Sequence, residues 1–384
     1  MTPPAPPLLT PRFVRLNVAN FCFFLCFASF FLLPLHVRAL GGSDRDVGFV
    51  MGTNGVAGLA GLLLIGPLLD RFPRQLFLRG GIAGMGLLAL AYLVVDTVGP
   101  LLYLLRAFQG LAFAAGFNAA STLAVDYAPP ARRGAALGLY GVSTLATHAL
   151  APTLGEMLIG LGGFPLLFVS AAGYAAVGLV AAWSLPAATL PVPRGRGRFR
   201  LGGLLAATLA AVGCGGIAFG AVITFAPTFV ADEHLGPVAT FFLSYTAAAI
   251  ATRLVGGGLG DRFGHARVAT PALAGLGVAI AALALVYSPV QLALAGLAFG
   301  TAQGIYYPAL NAFTVDHAGA GQIGRVQTLY NATFNLGVTG GAFVLGNVVH
   351  DFGHRVTFLC ASAAALLGVA CFVLAVRLGP RVRH

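Results

Sequence analysis

Long apolar runs separated by short polar clusters fill the chain. Twelve runs can be delimited: 13–37, 47–69, 76–95, 99–123, 134–158, 164–185, 201–230, 238–259, 267–287, 290–314, 324–349 and 355–377. A helix of about 20 mostly apolar residues crosses ~30 Å of hydrocarbon, so each run is long enough to span a bilayer. The separators are clusters of Arg, Asp, Gly and Pro, and none is long enough to fold as a soluble domain. One separator is longer, Pro186–Arg200, and it is Pro/Gly-rich, basic and central. The pattern predicts an all-α integral membrane protein of twelve transmembrane helices in two six-helix bundles. Its expected parts are a tail (1–12, with Met1 to Pro11 reading as disordered), a bundle (13–185), a linker (186–200), a second bundle (201–377) and a short tail (378–384).

Composition agrees: 58% of residues are hydrophobic and 9% charged, against roughly 25% charged in soluble domains. The net charge of +11 is not a nucleic-acid signature. All 22 basic residues are Arg, and they sit mostly in short loops. With the N-terminus placed inside, seventeen arginines face the cytoplasm, three (Arg38, Arg45, Arg355) face outward and two (Arg106, Arg253) stay within spans. The positive-inside rule therefore predicts a multi-pass inner-membrane protein with both termini cytoplasmic. The first apolar run is of span length with no small-residue cleavage pattern after it, so it reads as a span rather than a signal peptide. Cys22, Cys26, Cys214, Cys360 and Cys371 all lie in apolar runs, with no disulfide framework. Cys22 and Cys26 share a helix face but have no third ligand near in sequence, so no metal or cofactor is expected.

The two halves repeat. Gly66-Pro-Leu-Leu-Asp70-Arg71-Phe72 returns as Gly257-Gly-Leu-Gly-Asp261-Arg262-Phe263, 191 residues later. Leu139-Tyr140 returns as Leu329-Tyr330 after 190, and Pro34 as Pro227 after 193. Duplicated six-helix halves mark many secondary transporters, whose substrate site lies between the repeats near the bilayer midplane.

The loops after spans two and eight continue as Pro73-Arg74-Gln75 and Gly264-His265-Ala266-Arg267. Both resemble the G-x-L-x-D-R-x-G-R-R signature of the major facilitator superfamily. Pro73 and Gln75 depart from it in the first copy. Span four carries Arg106-Ala-Phe-Gln109-Gly110, which resembles the family's R-x-x-Q-G motif. Span five carries Gly138, Thr147, Ala151, Pro152 and Gly155, a partly replaced version of the antiporter pattern G-x8-G-x3-G-P-x2-G. The resemblance covers essentially the whole chain and is nearest to bacterial sugar-efflux and drug-efflux-like permeases.

That resemblance implies gating roles for Gly66, Asp70, Arg71 and Arg74, and for Gly257, Asp261, Arg262 and Arg267. It also implies a helix kink at Pro152 and Gly155 and, for the fold, a monomer. Arg106 admits two readings, proton coupling as in efflux members or a structural Arg bonded to backbone. An Arg inside a span costs about 2.5 kcal/mol or more and should face the bundle interior or water. His148 and Glu156 are likewise either coupling groups or ordinary polar residues. Arg253 reads as part of the gating loop's surroundings rather than as a substrate ligand. Candidate cavity residues are Asn17, Asn20, Asn118, Gln303, Tyr306, Tyr307, Asn311, Asn331 and Asn335. Gln303, Tyr306 and Tyr307 are the preferred substrate contacts, because they combine apolar surface with hydrogen-bonding groups.

The first span holds no Asp or Glu. No phosphate-binding G-x-x-x-x-G-K, no H-E-x-x-H and no G-x-S-x-G occurs, which argues against ATP-driven transport and catalysis by this chain. The expected function is secondary export of a small organic solute by alternating access, with protons as the coupling ion. The alternative is an uptake symporter or uniporter of the same fold. A membrane enzyme or sensor would need clustered acids or metal ligands that the chain lacks.

Overall fold

Helices form where the apolar runs predict them, because hydrocarbon offers no partner to an unsatisfied backbone group. The computed structural model describes residues 9–69, 71–129, 132–186, 202–256, 258–318 and 322–378. Asp70, Gly257, most of the expected linker and both chain ends lie outside the described residues.

The elements, in order, are α1 (Pro11–Ser29), a 3-10 turn (Phe30–Leu32), α2 (Leu33–Ala39), α3 (Asp44–Leu69), α4 (Arg74–Ala91), a 3-10 turn (Tyr92–Val94), α5 (Pro100–Asp126) and α6 (Arg133–Trp183). The second series is α7 (Gly203–Asp232), α8 (Ala239–Gly256), α9 (Leu259–Phe263), α10 (His265–Leu283), α11 (Pro289–Asp316) and α12 (Ile323–Leu378). Local chemistry sets several starts. Pro11, Pro100 and Pro289 open their helices where no amide donor is needed. Thr10 and Ser288 cap α1 and α11 through their hydroxyls. The 3-10 turn before α2 lies just ahead of Pro34, whose missing N–H cannot close an α-helical bond.

Nine helices among the described residues are long and apolar enough to cross a membrane. Two of them, α6 with 51 residues and α12 with 56, are two spans in series. The first breaks at Gly162 (φ −153°) and Gly163 (φ +69°), the second at Gly353 (φ +83°), where a left-handed backbone favours glycine. The 28-residue α11 is also long enough, though more polar. Counted this way the spans are the twelve expected. Pro152 keeps a helical backbone; the departure from helical dihedrals comes further along, at the two glycines.

The chain forms two compact units, Met1–His36 with Thr53–Pro193, and Val37–Gly52 with Arg194–His384. The sequence reading assigned 37–52 to the first bundle; by contact these residues belong to the second unit. In the first unit α1 packs on α6, and α4 packs on α5 and α6. In the second, α7 packs on α12, and α10 on α11 and α12, the same arrangement one repeat later.

Lipid tails are as apolar as leucine, so association between spans rests on close packing at small residues. A Cβ on Gly81 of α4 would stand 2.5 Å from the Gly116 nitrogen of α5. In the second unit, a Cβ on Gly220 of α7 would stand 2.5 Å from the Val338 carbonyl oxygen of α12. Aromatic rings fill the wider gaps, with Phe27 and Phe113 stacked at 4.1 Å. Overpacking such a seam costs about 1–3 kcal/mol. Gly81→Val is therefore expected to lower the melting temperature of the detergent-purified protein clearly. Gly80→Val, next to it but with open space at its Cβ position, should leave the melting temperature nearly unchanged.

Candidate functional site

The signature loops end at a pair of equivalent ion contacts. In the first unit Arg74 opens α4 and its guanidinium is bonded to Asp126 at the end of α5. Both are well buried, with side chains 5% and 12% exposed. Next to it Gln75 donates to the Pro186 carbonyl and to Tyr127 Oη. Arg79 donates to the carbonyls of Ala182, Trp183 and Leu185 and lies over the Trp183 ring. Arg71 is exposed, and a Cβ on Gly66 would meet open space. Of the first loop's described candidates, Arg74 is thus the one fixed in a buried pair.

The second unit repeats the pair with one change. His265 lies 191 residues after Arg74 and Asp316 lies 190 after Asp126. His265 Nδ1 is 2.7 Å from Asp316 Oδ2, and Nε2 is 3.5 Å from Asp261 Oδ1. A left-handed Gly264 (φ +90°) separates α9 from α10 and turns the His into place. Arg262 lies over the Phe263 ring, and Arg267 is exposed. A surface cleft of about 570 Å³ opens there, lined by Asp261, His265, Arg267, Asp316 and His317 among others. The second loop therefore holds its acid through a histidine, which sequence reasoning passed over; the repeat offset from Arg74 was the signal.

Arg106 is held inside the first unit. Its Nη1 donates to Gln109 Oε1 at 2.9 Å, and Tyr92 Oη donates to the same oxygen at 2.9 Å. Arg106 is 3% and Gln109 0% exposed. The R-x-x-Q-G motif thus makes a local network in which the guanidinium is bonded to its own helix. His148 sits edge-on to Phe31 at 5.0 Å. Glu156 is half-buried on the same helix, α6. A Cβ on Gly155 would press on Leu32, so that glycine serves close packing.

Among the asparagines, Asn118 donates to the Ala114 carbonyl of its own helix. Asn335 does the same to Asn331 and is exposed. Asn17 donates to Phe13, and Asn20 Nδ2 donates to Thr144 while its buried Oδ1 has no partner. Asn311 is half-buried.

The second unit gathers the preferred substrate contacts around Arg253. Gln303, Tyr306 and Tyr307 lie on one face of α11 at positions i, i+3 and i+4. Tyr307 donates to Asn331 Oδ1 at 2.9 Å, and Tyr330 donates to the Tyr307 carbonyl at 2.6 Å. Arg253, one turn from the end of α8, lies within electrostatic reach of Tyr245, Tyr307 and Tyr330. Its buried Nε has no partner, and neither do the buried Gln303 Oε1, Tyr306 Oη and Thr246 Oγ1. Arg253 makes no ion pair with a described acid. Buried polar atoms are nearly always hydrogen-bonded, so unmet ones stand out within a span. The sequence signal was present, since Arg253 is a charge inside a span whose repeat counterpart is Leu62.

A family profile described as Major Facilitator Superfamily matches residues 16–342 and 238–384. The chain belongs to the major facilitator superfamily. It is a multi-pass membrane transporter, and the family is one of carriers rather than enzymes. Members similar to it include the multidrug resistance protein MdtG of Dickeya zeae, 26% identical over 79% of this chain and 77% of that protein. The probable nitrate/nitrite transporter NarK2 of Mycobacterium tuberculosis is 26% identical over 88% of each chain. Among superfamily structures, a point mutant of the nucleoside transporter NupG superposes with a TM-score of 0.80 at 14% identity, covering 94% of this chain and 99% of that one. A bacterial homologue of the human lysosomal transporter Spinster, inward-facing and unoccupied, gives 0.78 at 15% identity over 95% and 96%. At those identities the structures establish the fold.

The two loop pairs differ in what their loss should do. Removing one partner of a buried pair costs about 3–5 kcal/mol, whereas an exposed pair is worth about 0–1 kcal/mol. Asp126→Asn is expected to depress the melting temperature strongly and Asp316→Asn only slightly, measured on the purified protein in the same detergent.

Proposed function

We propose that this superfamily member is a secondary active transporter that exports a small organic solute carrying an anionic group, with protons as the coupling ion. The observation that carries the solute class is Arg253, without an ion pair to a described acid and with an unmet Nε, within electrostatic reach of Tyr245, Tyr307 and Tyr330. A cation with no acid beside it attracts an anion more strongly where water is scarce, and a carboxylate or similar group accepts from guanidinium and phenol donors together. Placement supports export. The arginine distribution puts Arg253 one turn from the cytoplasmic end of α8, where a solute leaving the cell first meets fixed charge. Likeness to MdtG points the same way. Uptake of a small inorganic anion is the second reading, favoured by the NarK2 likeness over 88% of both chains.

Arg106 takes a structural part in this proposal, because Gln109 already occupies its guanidinium. Protons would act at groups such as His148 or Glu156, both half-buried on α6. The test is flux in proteoliposomes of a panel of organic anions, their neutral analogues and nitrate, with and without an imposed pH gradient. Arg253→Gln is expected to cut anion flux at least tenfold, a loss of one charge-assisted contact, while leaving the melting temperature in place. Gradient-driven flux of neutral analogues that is indifferent to Arg253→Gln would overturn the anionic-solute reading. Nitrate accumulation in its place would establish the second.

A further inference from the structure

The second unit carries a charged cluster used neither by the signature loop nor by the Arg253 site. It ties residues 37–52, continuous in chain with the first unit on both sides, to the rest of the second unit. Arg38 of α2 donates from Nε to Asp44 Oδ1 at 3.1 Å and from Nη2 to Asp232 Oδ2 at 2.9 Å. One guanidinium therefore joins the first residue of α3 to the last residue of α7. His354, the first residue after the Gly353 break, faces the same two oxygens. Its Nε2 is 3.9 Å from Asp44 Oδ1 and its Nδ1 is 3.7 Å from Asp232 Oδ2. Nε2 also lies 2.9 Å from Thr228 Oγ1, and the ring tilts over Phe229. The ring is 10% exposed. Of the other charges nearby, Arg355 pairs with Glu233 at 2.7 Å and Arg45 with Asp351 at 3.8 Å, while Asp46 accepts from Ser43 N and Oγ. Beneath the cluster α3 meets α12 backbone to backbone: a Cβ on Gly48 would stand 2.8 Å from Gly346 Cα.

We propose that Arg38, Asp44, Asp232 and His354 form a proton-sensitive clasp that holds residues 37–52 on the second unit and releases them when His354 takes up a proton. The geometry sets the direction. Arg38 already holds both carboxylate oxygens that His354 faces, so a charged ring must compete with it for them while buried. Burial lowers the ring's proton affinity, Asp44 and Asp232 raise it, Arg38 lowers it and Glu233 raises it, and the balance falls below the ordinary histidine value. Once 37–52 departs, the ring meets water and titrates near the ordinary value of about 6.5. The docked form thus binds the proton less tightly than the released form. Docking is at full strength above about pH 6.5 and weakens as pH falls from there toward the depressed value. Resting on the transport reading, the arginine distribution puts the clasp on the outer face, so external acid would loosen it.

The test is amide hydrogen exchange on the full chain in lipid nanodiscs without added solute, at pH 7.5 and pH 5.0, corrected for the intrinsic pH dependence of exchange. Wild type should lose protection across 37–52 in acid, by no more than tenfold per pH unit as for one proton, while α5 holds its protection. His354→Gln should keep 37–52 protected at both pH values, and Arg38→Gln should leave it exchanging fast at both. A full acid response in His354→Gln would overturn the proposal. So would wild-type protection that is flat or rises in acid, a result that needs no variant to fold. No solute enters the measurement, so its outcome is independent of what the protein carries.

Discussion

Hydrocarbon satisfies neither a peptide group nor a charge, and it gives apolar side chains no reason to leave it. From the first follow the helices, and from the second the removal of ionic groups to helix ends. From the third follows the way the helices are held together. With no hydrophobic drive between spans, contact has to come from shape, and the shape here is glycine against backbone. Gly81 on Gly116, Gly220 on Val338 and Gly48 on Gly346 are the same solution in different pairs of helices. The rings of Phe23, Phe24, Phe27 and Phe113 fill the gaps where backbones diverge.

Against that background each charge left inside has a stated reason. Arg74 is cancelled by Asp126, and Arg106 by the dipole of Gln109 on its own helix. Arg253 makes no ion pair with a described acid, and its Nε is buried without a partner. The repeat sharpens the contrast. Where the first half has Arg74 the second has His265, and where the first has Leu62 the second has Arg253. A duplicated scaffold keeps its packing positions alike, so its unlike positions are where the halves have taken separate tasks. The second half has exchanged a buried pair for a more exposed one and gained a cation that makes no ion pair with a described acid.

Span positions were legible because length and hydropathy alone determine them. The twelve expected spans match the helices within a few residues, including the breaks inside α6 and α12, where Gly162, Gly163 and Gly353 stood between two apolar runs. Side-chain roles were less legible, for a physical reason. A helix that is apolar around most of its circumference has no polar stripe to report its rotation. Asn118 and Asn335 read as candidate cavity residues, and each bonds the carbonyl of its own preceding turn. Gln303, Tyr306 and Tyr307 were chosen for their mixed apolar and hydrogen-bonding surface, and their i, i+3, i+4 spacing puts them on one face of α11. The docking of 37–52 in the second unit lay beyond sequence, since Arg38, Asp44, Asp232 and His354 meet only through tertiary structure.

The two kinds of contact also differ in what they permit. Glycine seams are made of fixed backbone and behave as one rigid block, suited to holding a unit together while it moves. The ion contacts other than Arg74–Asp126 are more exposed and individually small. An exposed pair contributes about 0–1 kcal/mol, and one proton bound with a one-unit difference in affinity contributes about 1.4 kcal/mol. Moving a two-state equilibrium from 1:99 to 99:1 takes about 5.5 kcal/mol. A carrier whose states are balanced by a few such pairs lies within reach of a bound solute and a proton. One balanced by buried pairs like Arg74–Asp126, at about 3–5 kcal/mol each to break, would not. The strong pair, Arg74–Asp126, lies inside the first unit, and the weaker contacts at Arg38 and His354 lie inside the second, where they hold residues 37–52.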